Sequence, residues 1–256
     1  MKVAIVTGGS GGIGRCTAHS LAEAGCRVFE LSRHGESDAA VEHVTCDVTD
    51  EGAVRAAVAE VTERAGRVDI LVCNAGFGIS GAAELTSSAD AHAQLELNLF
   101  GMDNAVRAVL PQMRAQRGGR IVCMSSIAGI LPIPFQLWYS VSKAAIDAYV
   151  LALQNEVRPF GISCCAVLPG DIRSGFTSAR RKTPEAGAYG ERVARSVAKM
   201  EHDEETGMSP ESAGAYVAKV ALMRRSAPMK ALGVPYKAAA MAAKLLPCLL
   251  YTSPSP

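Results

Sequence analysis

The sequence predicts an α/β fold: a doubly wound parallel sheet of about seven strands with helices on both faces. Short runs rich in Val and Ile alternate with Ala-rich stretches of helical length. The runs are apolar along their whole length, as in strands covered on both sides. Several helical stretches close on Gly (Gly25, Gly66, Gly161), the residue that takes a left-handed cap. Right-handed crossovers then place ligands at the carboxyl ends of the strands.

KVAIVT reads as the first strand, and TGGSGGIGR turns the chain into the helix GRCTAHSLAEAG. RVFELS and EHVTCDV are the next two strands, and the helix EGAVRAAVAEVTERAG leads to the fourth, VDILVCN. NLFGMDNAVRAVL is helical, GRIVCMSS is a strand, AAIDAYVLALQNEVRPFG is a long helix and ISCCAVLPG a strand. From Ser174 to about Thr206 the texture turns polar, and this segment reads as a mobile helical lid over the sheet's edge. A helix over 209–224 is opened by Ser209 with Pro210 at its first position. A strand near Met229–Gly233 and a helix near Tyr236–Leu246 complete one domain over residues 1–250. The Ser/Pro-rich residues 251–256 fit nothing before them and read as a disordered or foreign appendage.

The 26 basic and 25 acidic residues nearly cancel, so no field favours nucleic acid as a partner. Neither a signal peptide nor a transmembrane stretch is visible. The eight cysteines form no CxxC and several lie in strand-like runs, as buried reduced thiols do, so a cytoplasmic location is expected. The terminal YKAAAMAAKLLPCLLY is apolar enough to cover a pocket, join an interface or rest on a membrane surface. Its Lys residues and Pro247 argue against spanning.

Two motifs carry chemistry. Tyr139 and Lys143 stand four apart at the head of a helix and so share a face. An ammonium beside a phenol lowers its pKa, which makes the pair an acid/base couple for a carbonyl or an alcohol. The Gly-rich turn after the first strand lets phosphates approach the backbone at a helix N-terminus. It parses as GxGxxG through Gly9, Gly11 and Gly14, or as TGxxxGxG through Thr7, Gly8, Gly12 and Gly14.

Thr7-Gly8-xxx-Gly12-x-Gly14, Asp47-Val48, Asn74-Ala75-Gly76, Asn98, Ser126, Tyr139-xxx-Lys143 and Pro169-Gly170 occur in order. Ser126 lies thirteen residues before Tyr139, and Asn98 twenty-eight before Ser126. Over residues 2–235 this set resembles the short-chain dehydrogenase/reductase family, in its single-domain, hydroxysteroid dehydrogenase-like branch. The resemblance selects Gly8, Gly12 and Gly14. It implies that Ser10 and Ile13 lie beside a pyrophosphate and that Asp47 bonds an adenine amino group. Asn74, Ala75 and Gly76 would follow the adenosine ribose, with Pro169, Gly170, Ile172 and Ser174 around the nicotinamide. Ser174 stands where the family usually carries Thr.

Cofactor choice turns on the end of the second strand, where a carboxylate would accept from a ribose 2′-hydroxyl and repel a 2′-phosphate. Ser32 and Arg33 stand there instead, with Arg15 nearby, and favour NADP(H). Glu30 keeps NAD(H) open if the strand ends two residues earlier.

Reduction of a ketone develops negative charge on oxygen and requires a proton and donors in place. By the resemblance Tyr139 gives the proton, Ser126 (rather than Ser125) bonds the same oxygen, Lys143 grips the nicotinamide ribose, and Asn98 holds a water linking Lys143 to solvent. Ile130, Leu131, Ile133, Phe135 and Trp138, with Phe176, could wall an apolar pocket. That suggests a bulky, steroid-like ketone or secondary alcohol. Arg173, Arg180, Arg181 and Lys182 supply a competing idea, a basic lid for an acyl-carrier phosphate as in 3-oxoacyl-carrier reductases. A non-catalytic NADP-binding sensor is the rival of another class. The family's mode of assembly, through helices here at about 98–116 and 139–158, implies a homodimer or homotetramer.

Overall fold

The computed structural model of the chain describes residues 1–183 and 187–245. β1 (Val3–Thr7) is apolar up to its terminal Thr and buried at all five positions. The Gly-rich turn feeds α1 (Gly12–Glu23). β2 (Arg27–Ser32) and β3 (Val41–Thr45) follow. α2 (Glu51–Ala65) is capped by Asp50, whose carboxylate accepts from the Ala53 N–H at 3.0 Å, and it ends on Gly66 at φ 74°.

Next come β4 (Ile70–Cys73), the two-residue β5 (Ile79–Ser80) and α3 (Ser88–Leu95). A π-helical turn at Glu96–Phe100 leads into α4 (Gly101–Ala115). β6 (Gly119–Met124), α5 (Leu137–Val157) and β7 (Ile162–Leu168) form the centre of the second half. Beyond β7 lie α6 (Phe176–Ala179), the two-residue β8 (Arg181–Lys182) and α7 (Glu191–Glu205). α8 (Pro210–Leu222) begins at Ser209, whose hydroxyl accepts from the Ser212 N–H, and β9 (Met229–Ala231) and α9 (Val234–Leu245) follow.

Seven parallel strands form the central sheet in the order β3-β2-β1-β4-β6-β7-β9. The chain winds outward from β1 to β3, then restarts beside β1 at β4, so the order reverses between β1 and β4. Ligands of such sheets bind at the carboxyl ends of the strands at that reversal. The register aligns Thr7 with Cys73 and Cys73 with Cys123, which brings three strand ends level there.

The sheet buries an apolar layer on each face. Phe29, Leu71 and Ile121 pack with Val54, Val106 and Ile146 of α2, α4 and α5. Val6, Val72 and Val122 pack with Leu21 and Val217 of α1 and α8. α1 and α8 approach closely because Gly214 has no side chain; a Cβ there would meet the Cys16 Cβ at 2.5 Å. Six of the seven described cysteines are buried, all seven are free thiols, and burial pushes Cys46 up to about 11. Cys248 and residues 251–256 lie outside the described residues.

The lid differs in detail from the sequence expectation. Its stem forms a small parallel sheet, β5 with β8, and α7 turns Val193 inward. Ile172 and Met208 bridge to each other, so the segment leaves and rejoins the body at one point. The last helix starts at Val234, two residues earlier than expected. Among the described residues no helix is long and apolar enough to cross a membrane.

Candidate active site

The Gly-rich turn is shaped by what a side chain would strike. Gly8 has φ 64° and lies against Ala75, while a Cβ on Gly14 would sit 2.2 Å from the Gly8 carbonyl oxygen. Thr7 ties this turn to β4: its hydroxyl accepts from the N–H groups of Asn74 (3.0 Å) and Ala75 (3.2 Å). The Asn74 amide donates to the carbonyls of Gly8 (2.9 Å) and Thr7 (3.2 Å). Asn74 thus braces the turn. The first turn of α1 has no side-chain cap, so its N–H groups face the cleft as an anion site would require.

A cleft of about 260 Å³ continues from this turn, lined among others by Gly8, Ser10, Ser32, Arg33, Asp47, Val48, Ala75 and Gly76. This volume suits a purine with its ribose. The Asp47 carboxylate accepts from the N–H and hydroxyl of Thr49, and those bonds hold its pKa below the ordinary value. The cap of α2 is Asp50, so Asp47 stays at the cleft wall.

β2 ends at Ser32, and Glu30 is turned beneath the Gly-rich turn, 2% exposed. It pairs with His43 and accepts from the Ser32 hydroxyl at 3.2 Å. Its other oxygen, Oε2, is buried without a hydrogen-bond partner among the described residues, and Glu30 lines a hollow beside the turn. Arg33 and Arg15 are exposed beside a second hollow and have no ion-pair partner among the described residues.

A cavity of about 510 Å³ joins the turn to the candidate reaction centre. Gly12, Ile13, Asn74, Pro169, Gly170, Ile172 and Ser174 line one part; Ser126, Tyr139 and Lys143 line another. Tyr139 and Lys143 share a face of α5, with the ammonium 5.6 Å from the phenol ring centroid. The 7% exposed Lys143 donates to the Met124 carbonyl at 2.8 Å, and burial lowers its pKa to about 8. Burial also raises the Tyr139 phenol, opposed by a hydrogen bond with Ser126. Burial is the larger of these two effects on the phenol, and the Lys143 ammonium is engaged by the Met124 carbonyl.

Ser126 is oriented from behind, its hydroxyl accepting from the Ala128 N–H at 3.2 Å. Ser125 points elsewhere, donating to the Lys143 carbonyl. The Asn98 amide, in the π-helical turn, accepts from the Phe77 N–H and donates to the Phe77 carbonyl and Ser142 hydroxyl. All these bonds lie within 3.0–3.1 Å, so the side chain positions the loop after β4 and makes no bond to Lys143. One turn beyond Lys143, Asp147 is buried with neither oxygen hydrogen-bonded, against Gly129. Desolvation raises its pKa to about 6, and its field supports the charge of Lys143.

Of the predicted apolar wall, Ile133 and Phe176 line the cavity, with the Phe176 ring 5.7 Å from that of Tyr139. Ile130 packs instead on the sheet core, Phe135 stacks edge-on with Tyr189, and Leu131 and Trp138 do not line the cavity. Phe135 takes φ 61°, a reversal that hydropathy does not reveal. Gln136, Met200, Asp171 and Glu204 also line it, and the sequence reading had not singled them out. The basic lid is largely neutralised: Arg180 pairs with Glu204, Arg181 with Asp90 and Lys182 with Glu201.

A phenol, a hydroxyl and an ammonium converging beside a dinucleotide-sized cleft equip a nucleotide-dependent oxidoreductase. The comparisons with known proteins give the family. A profile described as short chain dehydrogenase matches residues 2–185. The chain is 39% identical over 233 residues to the 3-ketodihydrosphingosine reductase of Bacteroides thetaiotaomicron, covering 90% of this chain and 86% of that one. It is 34% identical over 197 residues to oxidoreductase UcpA of Escherichia coli, covering 72% and 75% respectively. Among solved structures, a short-chain dehydrogenase from Streptomyces avermitilis superimposes with a TM-score of 0.86 at 32% identity, covering 95% of this chain and 92% of that one. The chain belongs to the short-chain dehydrogenase/reductase family, oxidoreductases that use NAD(P).

Proposed function

We propose that the protein is an NADP(H)-preferring reductase of an aliphatic ketone, working through Tyr139. The observation that carries this reading is the convergence of Tyr139, Ser126 and Lys143 on one cavity continuous with the Gly-rich turn. The cofactor fits the residues present: glycines where a Cβ would strike backbone, an uncapped helix start, and a purine-sized cleft. When bound, the nicotinamide nucleotide supplies the hydride. Tyr139 donates its phenolic proton to the carbonyl oxygen, and its hydrogen bond with Ser126 opposes the upward shift that burial imposes on the phenol. The Ser126 hydroxyl donates to the same oxygen and stabilises the charge that develops on it. Lys143, charged below about pH 8, offsets the phenolate left behind. Asn98, through Phe77 and Ser142, holds the loop beside α5 in register.

Arg33 and Arg15, without ion-pair partners among the described residues, support the 2′-phosphate, and the pairing of Glu30 Oε1 with His43 draws one oxygen of the competing acceptor away. A cavity walled by Ile133, Phe176, Ala179 and Met200 accepts a flexible chain. The 3-ketodihydrosphingosine reductase relative makes a long-chain ketone the substrate favoured over a steroid. Three of the four lid cations are paired, which argues against capture of an acyl-carrier phosphate. Leu137, Val141 and Leu151 leave an exposed apolar face on α5 close to exposed Phe100, and a homodimer through these helices would cover it.

Ketone-dependent oxidation of NADPH and of NADH, followed at 340 nm with long-chain, steroid and small ketones, tests the reading. Tyr139→Phe is expected to lose a factor of about 10² or more in kcat while still binding nucleotide. A variant as active as the parent would remove Tyr139 from the acid role. Nucleotide binding without turnover of any ketone would favour the sensor.

A further inference from the structure

At the end of the sheet opposite Tyr139 lies a hollow of about 600 Å³ that ketone reduction does not use. It opens on the amino ends of β4, β6 and β7, at Ile70, Gly119 and Ile162. Lys2, Arg67, Arg117, Arg158, Arg224 and Arg225 line it, together with the buried Arg120. Asp69 is the one carboxylate among the lining residues, and Arg67 already engages it through two nitrogens at 2.6 and 2.8 Å. Lys2, Arg117, Arg158, Arg224 and Arg225 have no ion-pair partner among the described residues.

Arg120 is 4% exposed, and its hydrogen bonds go to uncharged acceptors. Its Nε donates to the Val220 carbonyl at 3.3 Å, and its terminal nitrogens donate to the hydroxyls of Ser163 (3.2 Å) and Ser226 (2.6 Å). A buried charge is ordinarily paired, and a guanidinium does not shed its proton to escape the cost. The rim is built as firmly as the base. Arg117 takes φ 53°, and its carbonyl presses on Gly161, where a Cβ would come within 2.5 Å. That contact locks the loop before β6 to the loop before β7.

A structural task accounts for part of this charge. The carboxyl ends of α4, α5 and α8 border the hollow, and cations offset the dipoles of such ends. Seven cations against one carboxylate leave an excess of six. Three helix ends, at about half a negative charge each, answer about a quarter of it. The whole chain carries only +1, so the excess is concentrated here.

We propose that this hollow is a binding site for a soluble small molecule bearing a diphosphate, separate from the nucleotide cleft. Arg117, Arg224 and Arg225 grip the phosphate oxygens from the rim, where guanidinium forks match them, and Arg120 supplies counter-charge from below. A diphosphate answers the excess more fully than a single phosphate. The volume falls within the range of about 300–1,000 Å³ usual for small-molecule sites, and a concave hollow suits such a ligand better than a flat lipid surface.

Inorganic pyrophosphate, titrated calorimetrically into the full chain with NADPH and NADH in excess to fill the Gly-rich turn, tests the assignment. Saturable binding is expected, weakened at least about tenfold in Arg224→Ser/Arg225→Ser and in Arg120→Met. The exposed pair decides the matter if loss of the buried arginine prevents folding. Arg192→Ser/Arg195→Ser removes equal charge from α7 and is expected to bind as the parent does.

No saturable binding to the parent, or undiminished binding without Arg224 and Arg225, overturns the assignment. Equal weakening in the α7 variant reduces the effect to general attraction between charges and overturns it too. Binding that the nucleotides abolish and the Arg224/Arg225 variant leaves unchanged places pyrophosphate at the Gly-rich turn instead. Co-sedimentation with phosphatidic acid vesicles that needs Arg224 and Arg225, without pyrophosphate binding, makes this face a lipid contact and sinks the soluble ligand.

Discussion

Replacing Asp147 by Asn separates what α5 gives to stability from what it gives to chemistry. Asp147 is 7% exposed, neither oxygen has a hydrogen-bond partner, and its pKa rises from 3.8 to about 6. A carboxyl raised in the folded state stabilises the fold while protonated and loses that contribution as pH climbs through about 6. Two units at about 1.4 kcal/mol each place the cost of ionised Asp147 at about 3 kcal/mol above pH 7. Asp147→Asn is therefore expected to be more stable than the parent by up to about 3 kcal/mol at pH 8, and by less than about 1 kcal/mol at pH 4. In thermal unfolding of a chain this size the pH 8 gain corresponds to roughly 6–12 °C in Tm. Activity should move the other way. Without the field of Asp147 the Lys143 ammonium deprotonates below its present value of about 8, and the alkaline limb of kcat/KM shifts toward acid. A variant less stable than the parent at pH 8, or one stabilised equally at pH 4, would refute the reasoning.

Three further outcomes are expected. Gly14→Ala drives a methyl to 2.2 Å from the Gly8 carbonyl and 2.4 Å from the Asn74 amide, and nucleotide affinity by calorimetry should fall at least about tenfold. Arg33→Ala should reduce the preference for NADPH over NADH, as a ratio of kcat/KM, by about tenfold, the worth of one charge-assisted bond; an unchanged ratio removes Arg33 from 2′-phosphate recognition. Leu137→Glu/Val141→Glu should convert a dimer to monomers by light scattering, and a mass unaltered by both charges would exclude this face of α5.

Features set by local spacing were legible in the sequence. The alternation of buried strands and helices, the Gly-rich turn and the i,i+4 relation of Tyr139 to Lys143 follow from backbone periodicity alone. Features set by distant partners were not. β5 and β8 are two residues each and have no periodicity to read; they exist because Gly78 and Ser80 accept bonds from Arg181 and Thr183. Phe135 looked like pocket wall, yet its left-handed backbone sends it to Tyr189. Glu204 lay in a polar helix where a solvated face is the ordinary expectation, and Arg180 and Thr177, distant in sequence, hold it inward. Thr7 carried a signal that went unused, since a strand-terminal hydroxyl beside a Gly-rich turn is placed to reach the neighbouring strand.

The bridge between Ile172 and Met208 has an evolutionary consequence. Four residues of the cavity wall, Phe176, Ala179, Met200 and Glu204, are strung between two residues already joined to each other. Insertions, deletions or wholesale exchange of that cassette need not shift the strands beneath it. Natural variation and laboratory grafting can therefore change which ketone is admitted while leaving the nucleotide turn and Tyr139 where they are.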